Sequence, residues 1–321
     1  DTDALYLTAI DKYGHELWRW TFPVNKLNQQ TEQLSPLSSR PTYTETENDL
    51  TVKANKRTFI FSKKDGQLKG VSVDNRKISF ANGPRFIGAR RADRSLDQFY
   101  NHDDEKAKEK DRTYSEFPDA AVFTKLDVKQ DGGDLVVTAN YKLGNLDKAQ
   151  WTINPSGDLA LDYTYNFSGV VDLMGIRFDY PEDQVISKRW LGAGPYRVWQ
   201  NRIHGTQYDV WENDYNDPIP GETFTYPEFK GYFGDVSWMN IQTKEGTISL
   251  TNETPDTYIG VYQPRDGRDR LLYTLPESGI SVLNVIPPVR NKVNSTDLCG
   301  PSSQPKWVNG PQTGRVIFRF M

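Results

Sequence analysis

The chain has one cysteine, Cys299, and only three histidines, His15, His102 and His204. One thiol cannot close an intrachain disulfide, and three scattered imidazoles lack any metal-ligand spacing, so neither a disulfide framework nor a metal centre is expected and no cofactor is assigned. Long apolar runs are missing as well. No stretch of eighteen apolar residues occurs, which argues against a membrane span. No basic segment followed by an apolar one precedes the first strand-like stretch, so no signal peptide is read. The sequence opens on Asp1 rather than Met, and the expectation is an excised or processed piece. A surplus of positive charge is also lacking: 39 basic against 43 acidic residues give a net charge of −4 with the signs interspersed. Nucleic-acid binders gather Lys and Arg on one face, so nucleic acid is not an expected partner.

Aromatic residues are plentiful. They make up 12% of the chain, with 8 Trp and 17 Tyr, more than a core alone tends to need. Flat rings suit surfaces that are half apolar and half wet, and the C–H face of a pyranose is one such partner. Packing inside a β-sandwich is the competing use for the same rings.

Helical periodicity is nearly absent and alternation is common. Leu135, Val137, Ala139, Tyr141 and Leu143 alternate with polar neighbours, as do Leu159, Leu161, Tyr163, Tyr165 and Phe167, the pattern of half-buried antiparallel strands. Asn154-Pro155-Ser156-Gly157-Asp158 is a turn between them, so 135–167 reads as a meander, with Trp151 and Ile153 in a further strand. Similar strands are expected at Leu5–Ile10, Leu17–Phe22, Thr58–Phe61, Leu68–Val73, Val122–Val128, Thr247–Leu250, Gly279–Ile286 and Arg315–Phe320. Only 105–112 resembles a helix, and it has no apolar stripe. The fold class is therefore all-β, a large antiparallel sandwich. Residues 28–47 are polar and Pro-containing and read as a linker. That leaves 1–27 as the end of a preceding β-domain and 48–321 as the main sandwich. A hairpin alone is marginal in water, so 1–27 must pack against something.

The densest chemistry lies in 190–215. Gly192, Gly194 and Pro195 are expected to break a strand and bring backbone close to a neighbour. Trp199, Arg202, His204, Trp211 and Asp214 follow. A sugar site needs aromatic platforms beside planar hydrogen-bonding groups, and this stretch supplies both. A loop that packs as a plug would use the same residues. His204 with Glu212, Asp214 or Glu228 makes an acid–base pair conceivable for sugar-ring opening, subject to geometry. Asp97, His102, Asp103, Asp104 and Glu105 form an acidic run without the alternating ligand spacing of a calcium loop.

Trp190-Leu191-Gly192-Ala193-Gly194-Pro195, then Asn201-Arg202, Pro227-Glu228 and Asp235-Val236-Ser237-Trp238-Met239, resembles the C-terminal small-chain domain of glycoside hydrolase family 2 β-galactosidases. Lys64-Asp65-Gly66-Gln67-Leu68 and Asn82-Gly83-Pro84-Arg85-Phe86 are similar to that domain's opening hairpins. Ala9-Ile10-Asp11 through Leu17 resembles the end of the immunoglobulin-like domain before it. The chain departs from the family pattern at Arg197, Trp199 and Asn201, where Glu, Tyr and Asp are usual, and Arg94-Ser95-Leu96-Asp97 replaces a T-D-N-D stretch. The resemblance implies a galactose mutarotase-like super-sandwich and a parent enzyme hydrolysing terminal β-galactosides in the periplasm or outside the cell. It also implies that Trp307 is the ring reaching into the galactosyl pocket. The two catalytic glutamates of that family lie on a barrel, so no catalytic residue is assigned here. Expected partners are carbohydrate and the parent's remaining domains. A free carbohydrate-binding module and a mutarotase-like epimerase are the competing classes.

Overall fold

The alternation read in the sequence is carried through to burial. A computed structural model describes residues 4–23, 39–91, 114–214, 231–262, 278–288 and 301–321. Twenty-two strands lie among them. The first seven are β1 Ala4–Ile10, β2 Glu16–Pro23, β3 Thr42–Glu45, β4 Asp49–Ala54, β5 Arg57–Ser62, β6 Leu68–Val73 and β7 Arg76–Ile78. Next come β8 Ala81–Arg91, β9 Tyr114–Glu116, β10 Val122–Asp131, β11 Asp134–Lys142, β12 Leu146–Ile153, β13 Leu159–Val171 and β14 Leu173–Asp179. The last eight are β15 Val185–Gly194, β16 Gln207–Asn213, β17 Phe233–Gly234, β18 Trp238–Thr243, β19 Gly246–Asn252, β20 Tyr258–Tyr262, β21 Gly279–Val285 and β22 Lys306–Phe320.

They form a hairpin and two large antiparallel sheets. One sheet has the order β10-β11-β12-β13-β22-β19-β18-β15-β16. The other runs β17-β20-β21-β14-β8-β6-β5-β4-β3, with β7 added on β6 and β9 on β8. The expected all-β antiparallel sandwich is what the chain forms, and the 135–167 meander is β11, β12 and β13. In β13 Leu159, Leu161, Tyr163, Tyr165 and Phe167 are buried while Asp162, Thr164, Asn166 and Ser168 are not. Between the sheets sits an aromatic stack. Phe80 lies 4.6 Å from Phe178, 4.9 Å from Phe318 and 5.2 Å from Phe320, centre to centre, in the offset and tilted geometries aromatic pairs prefer.

Three expectations need amending. Thr42–Glu45, inside the stretch read as linker, is a strand that pairs with β4. Its neighbours are polar, so a solvent-facing edge strand looks like linker in composition. The last strand begins at Lys306, not Arg315, and pairs with β13 from Val171 back to Leu159. Gly310 and Pro311 hide its first half. Pro311 is tolerated because β19 joins β22 only from Val316 onward, leaving the other edge there unpaired. Third, β15 is not broken at Gly192 but continues through it to Gly194, its last residue, immediately before Pro195.

The hairpin β1–β2 has two unlike faces. Leu5, Leu7 and Ala9 lie opposite Phe22, Trp20 and Trp18, so one face carries six apolar side chains. Five of them, all but Ala9, are exposed, Leu5 to 60% and Trp18 to 50%. At the start of β1, Ala4 is buried with Leu191 and Trp238 of the larger sandwich. On the same side as Ala4, the Arg19 guanidinium lies over the Tyr6 ring and 4.0 Å from Asp209.

Candidate functional site

The loop after β15 is where the sequence concentrated its unusual residues. Gly194 and Trp211 explain its entrance. A Cβ on Gly194 would stand 2.3 Å from Cδ1 of Trp211, so the indole lies across the glycine, with its Nε1 donating to the Gln207 carbonyl at 3.0 Å. Trp190 is fully buried, edge-on to Phe233 at 4.9 Å, and its Nε1 donates to the Ala193 carbonyl.

After Pro195 the chain leaves β15 and folds over the second sheet. Val198 and Tyr232 exchange both backbone hydrogen bonds, at 2.6 and 2.9 Å. Trp199 is 4% exposed, edge-on to Tyr232 at 5.5 Å, and packs with Ile87, Ala89, Leu173 and Leu283. Those residues point away from the core between the sheets, because their neighbours Phe86, Met174 and Val282 point into it. The loop is thus a packed cover on the outer face of β8, β14 and β21, and both faces of the Trp199 ring are enclosed by protein.

Two side chains carry this loop toward the C-terminal strand. Gln200 Nε2 donates to the Gln304 carbonyl at 2.8 Å, and Asn201 Nδ2 to Ser303 Oγ at 3.2 Å. Ser303 ends a 3-10 turn, Pro301–Ser303. Trp307 follows on β22 opposite Val170 and is 70% exposed. Within the loop Arg202, His204 and Tyr196 are exposed, Tyr196 to 62%. Tyr196 is an open ring that the sequence reading passed over, because burial rather than residue type separates it from Trp199.

Trp199, Arg202 and His204 therefore share one loop, Trp211 closes its entrance, and Trp307 is joined to it through Gln304. Asp214 is not. It follows the far end of β16, which pairs Gln207 with Gly194 and Asn213 with Lys188. A strand rises about 3.4 Å per residue, which separates the two ends by roughly 20 Å. His204 is thus not brought to Glu212 or Asp214 as an acid–base pair. Glu228, His102, Asp97, Cys299 and the 105–112 segment lie outside the described residues.

A second group of polar residues was not legible in sequence at all, since it is assembled across strands. Arg85 on β8 pairs with Asp179 on β14, and Asn82 donates to the other oxygen of Asp179 at 2.9 Å. Arg177 stands opposite Arg85. Burial, and then the charge of Arg85, lowers the Arg177 pKa against the opposing pull of Asp179, Glu116 and Asp119. Burial raises the Asp119 pKa, although its carboxylate accepts the backbone N–H groups of Ala121 and Phe86 and feels both arginines.

The fold and this covered sheet face define an all-β sandwich domain of two large antiparallel sheets. Residues 53–286 match the family described as beta galactosidase small chain, and the chain belongs to that family. No curated protein matches the chain in sequence. Among solved structures it is similar to galactose 1-epimerase from Lactobacillus acidophilus NCFM, at 9% identity over 88% of this chain and 99% of that one, with a TM-score of 0.47. It is also similar to a GalM/aldose epimerase homologue from C. elegans, at 6% identity over 88% and 99% of the two chains, with a TM-score of 0.36.

Proposed function

We propose that this chain is the C-terminal accessory domain of a family 2 glycoside hydrolase, a β-galactosidase acting in the periplasm or outside the cell, and that it contacts the sugar without performing the cleavage. The family match over 53–286 carries this reading. The bond-breaking carboxylates would come from a barrel elsewhere in the parent, since retaining hydrolysis needs two carboxyl groups about 5–5.5 Å apart on a rigid frame. The apolar face of β1–β2 suits a domain partner, because a two-stranded hairpin with five large exposed apolar side chains is unstable facing water. Trp307, exposed and tied to the loop of Trp199, Arg202 and His204, is the ring best available to a pyranose.

The test compares two proteins. The 321-residue chain alone should not release nitrophenol from a nitrophenyl β-galactoside, while the parent enzyme should, with kcat/KM reduced by Trp307→Ala. Cleavage by the isolated chain, on a preparation free of host galactosidase, would overturn the proposal.

A further inference from the structure

Strand β10 ends the nine-stranded sheet, and among the described residues it pairs only with β11. Its ten residues include neither proline nor glycine, so the backbone N–H and C=O groups that do not reach β11 are offered to the open side. The pairing with β11 is irregular between Phe123 and Lys125 and regular from Lys125 to Asp131. After Asp131 the chain turns back through Gly132 and Gly133 into β11. The straight part of the edge is therefore Lys125-Leu126-Asp127-Val128-Lys129-Gln130-Asp131, bounded by a bulge at one end and a two-glycine turn at the other.

Alternation divides this segment into two rows. Leu126 and Val128 are half-buried and pack against the core between the sheets. Lys125, Asp127, Lys129 and Asp131 form the outward row, and all four side chains are more than half exposed. Lysines on an edge strand ordinarily repel a second edge. Here each is matched within its own strand, Lys125 to Asp127 at 2.8 Å and Lys129 to Asp131 at 3.1 Å. The row thus carries no net charge to keep another strand away.

The order of the charges is antisymmetric about Val128, the middle residue of the straight segment. A second copy laid antiparallel along the edge, with Val128 opposite its own copy, sets Lys125 against Asp131 and Asp127 against Lys129, twice each across the two-fold axis. All four outward pairs are then of opposite charge, the favourable case for directly opposed strand positions. Centring the axis on Asp127 would oppose Lys125 to Lys129, and centring it on Lys129 would oppose Asp127 to Asp131. A slip that opposes odd to even residues would put the charged row of one copy against the apolar row of the other. On the inner side Val128 meets Val128 and Leu126 meets Gln130, which covers apolar surface at the rim. The Gly132-Gly133 turn falls opposite Thr124 and Phe123 of the second copy and brings no side chain there. We propose that β10 is a homodimer interface, at which two copies of this chain join their nine-stranded sheets edge to edge about a two-fold axis at Val128. It lies four strands from Trp307 on β22, and does not depend on the proposed role in galactoside hydrolysis.

Sedimentation velocity over a concentration series tests it, on the 321-residue chain carrying Leu7→Lys and Trp20→Glu so that the open face of the hairpin does not contribute. A monomer–dimer equilibrium is expected. Two further variants keep the composition and net charge of this reference chain and change only the order of the exposed charges. Lys125→Asp with Asp131→Lys preserves the antisymmetry, and its dimer should dissociate within about twofold of the reference. Lys125→Asp with Asp127→Lys opposes like charges in all four pairs and should weaken the dimer by about tenfold or more, with an unchanged melting temperature for the monomer. A reference chain that stays monomeric throughout the series, or two variants that dimerise equally well, overturns the proposal. If either variant fails to fold, Asp127→Asn with Asp131→Asn decides in its place. That change removes all four attractions and should weaken the dimer by about threefold or more, and an unchanged dimer overturns the proposal.

Discussion

Both oxygens of Asp158 are held by Arg319, Nε to Oδ1 and Nη2 to Oδ2, each at 2.6 Å. The pair ties the 154–158 turn to the last strand, with the two side chains only 13% and 11% exposed. Asn154 and Ser156 add hydrogen bonds to the same carboxylate at 3.2 Å. Burial pushes the Asp158 pKa up, but the Arg319 hydrogen bonds and charge, with Asn154 and Ser156, outweigh it and hold the group below the usual carboxylate value. Removing one partner of a nearly buried pair strands the other, so Asp158→Asn should lose about 3 kcal/mol at pH 7 in urea unfolding. A depressed folded pKa contributes stability that is complete above the unfolded value, near ~3.9, and is lost as pH falls through the folded value. The gap between wild type and variant should therefore close in acid. A gap that persists undiminished at the lowest pH where both proteins fold would argue against this account.

Trp199 and Trp307 separate a packing role from a surface role. Trp199→Ala empties a buried ring site and should cost about 3–5 kcal/mol, with cooperative unfolding at lower denaturant. Trp307→Ala, on an exposed ring, should change stability by about 0.5 kcal/mol or less. In the parent enzyme it should reduce kcat/KM by the equivalent of about 1–3 kcal/mol. Unchanged kinetics would remove Trp307 from the sugar site.

Gly194→Ala places a methyl against the Trp211 indole, where the ideal Cβ position is 2.3 Å from a ring atom. Overpacking of this kind costs about 1–3 kcal/mol. Tryptophan emission should shift to the red as Trp211 is displaced, and a spectrum and melting curve identical to wild type would contradict the contact.

The hairpin offers a test on solubility. Replacing Leu7 and Trp20, which face each other on its open side, with Lys and Glu should leave the isolated chain folded and reduce its self-association at high concentration. In the parent enzyme the same pair should lower the melting temperature. Improved behaviour in both contexts would mean that no domain covers this face.

The sequence was most legible where one rule acted on neighbouring residues. Period-two alternation located β11 and β13, because a strand with one buried face must alternate, and Asn154-Pro155-Ser156-Gly157-Asp158 marked the turn that joins β12 to β13. The Gly-x-Gly-Pro block and its tryptophans marked an unusual loop for the same reason: glycine is needed where Trp211 crosses the backbone. Short polar strands such as β3 escaped, since an edge strand facing water has the composition of a linker. The first half of β22 escaped because Gly310 and Pro311 imitate a turn, although the complete pairing with β13 overrides them.

By itself the sequence determined that this protein is all-β, that it has one cysteine and three histidines, and that its aromatic residues gather after the Gly192-Ala193-Gly194-Pro195 block. Only the tertiary structure decided which rings face solvent. Trp199 is enclosed and Trp307 is open, because burial depends on what the second sheet brings over the loop. The facing pair of Arg85 and Arg177 likewise has no sequence signature. Its members are separated by some ninety residues and meet only because antiparallel register sets β8 and β14 side by side.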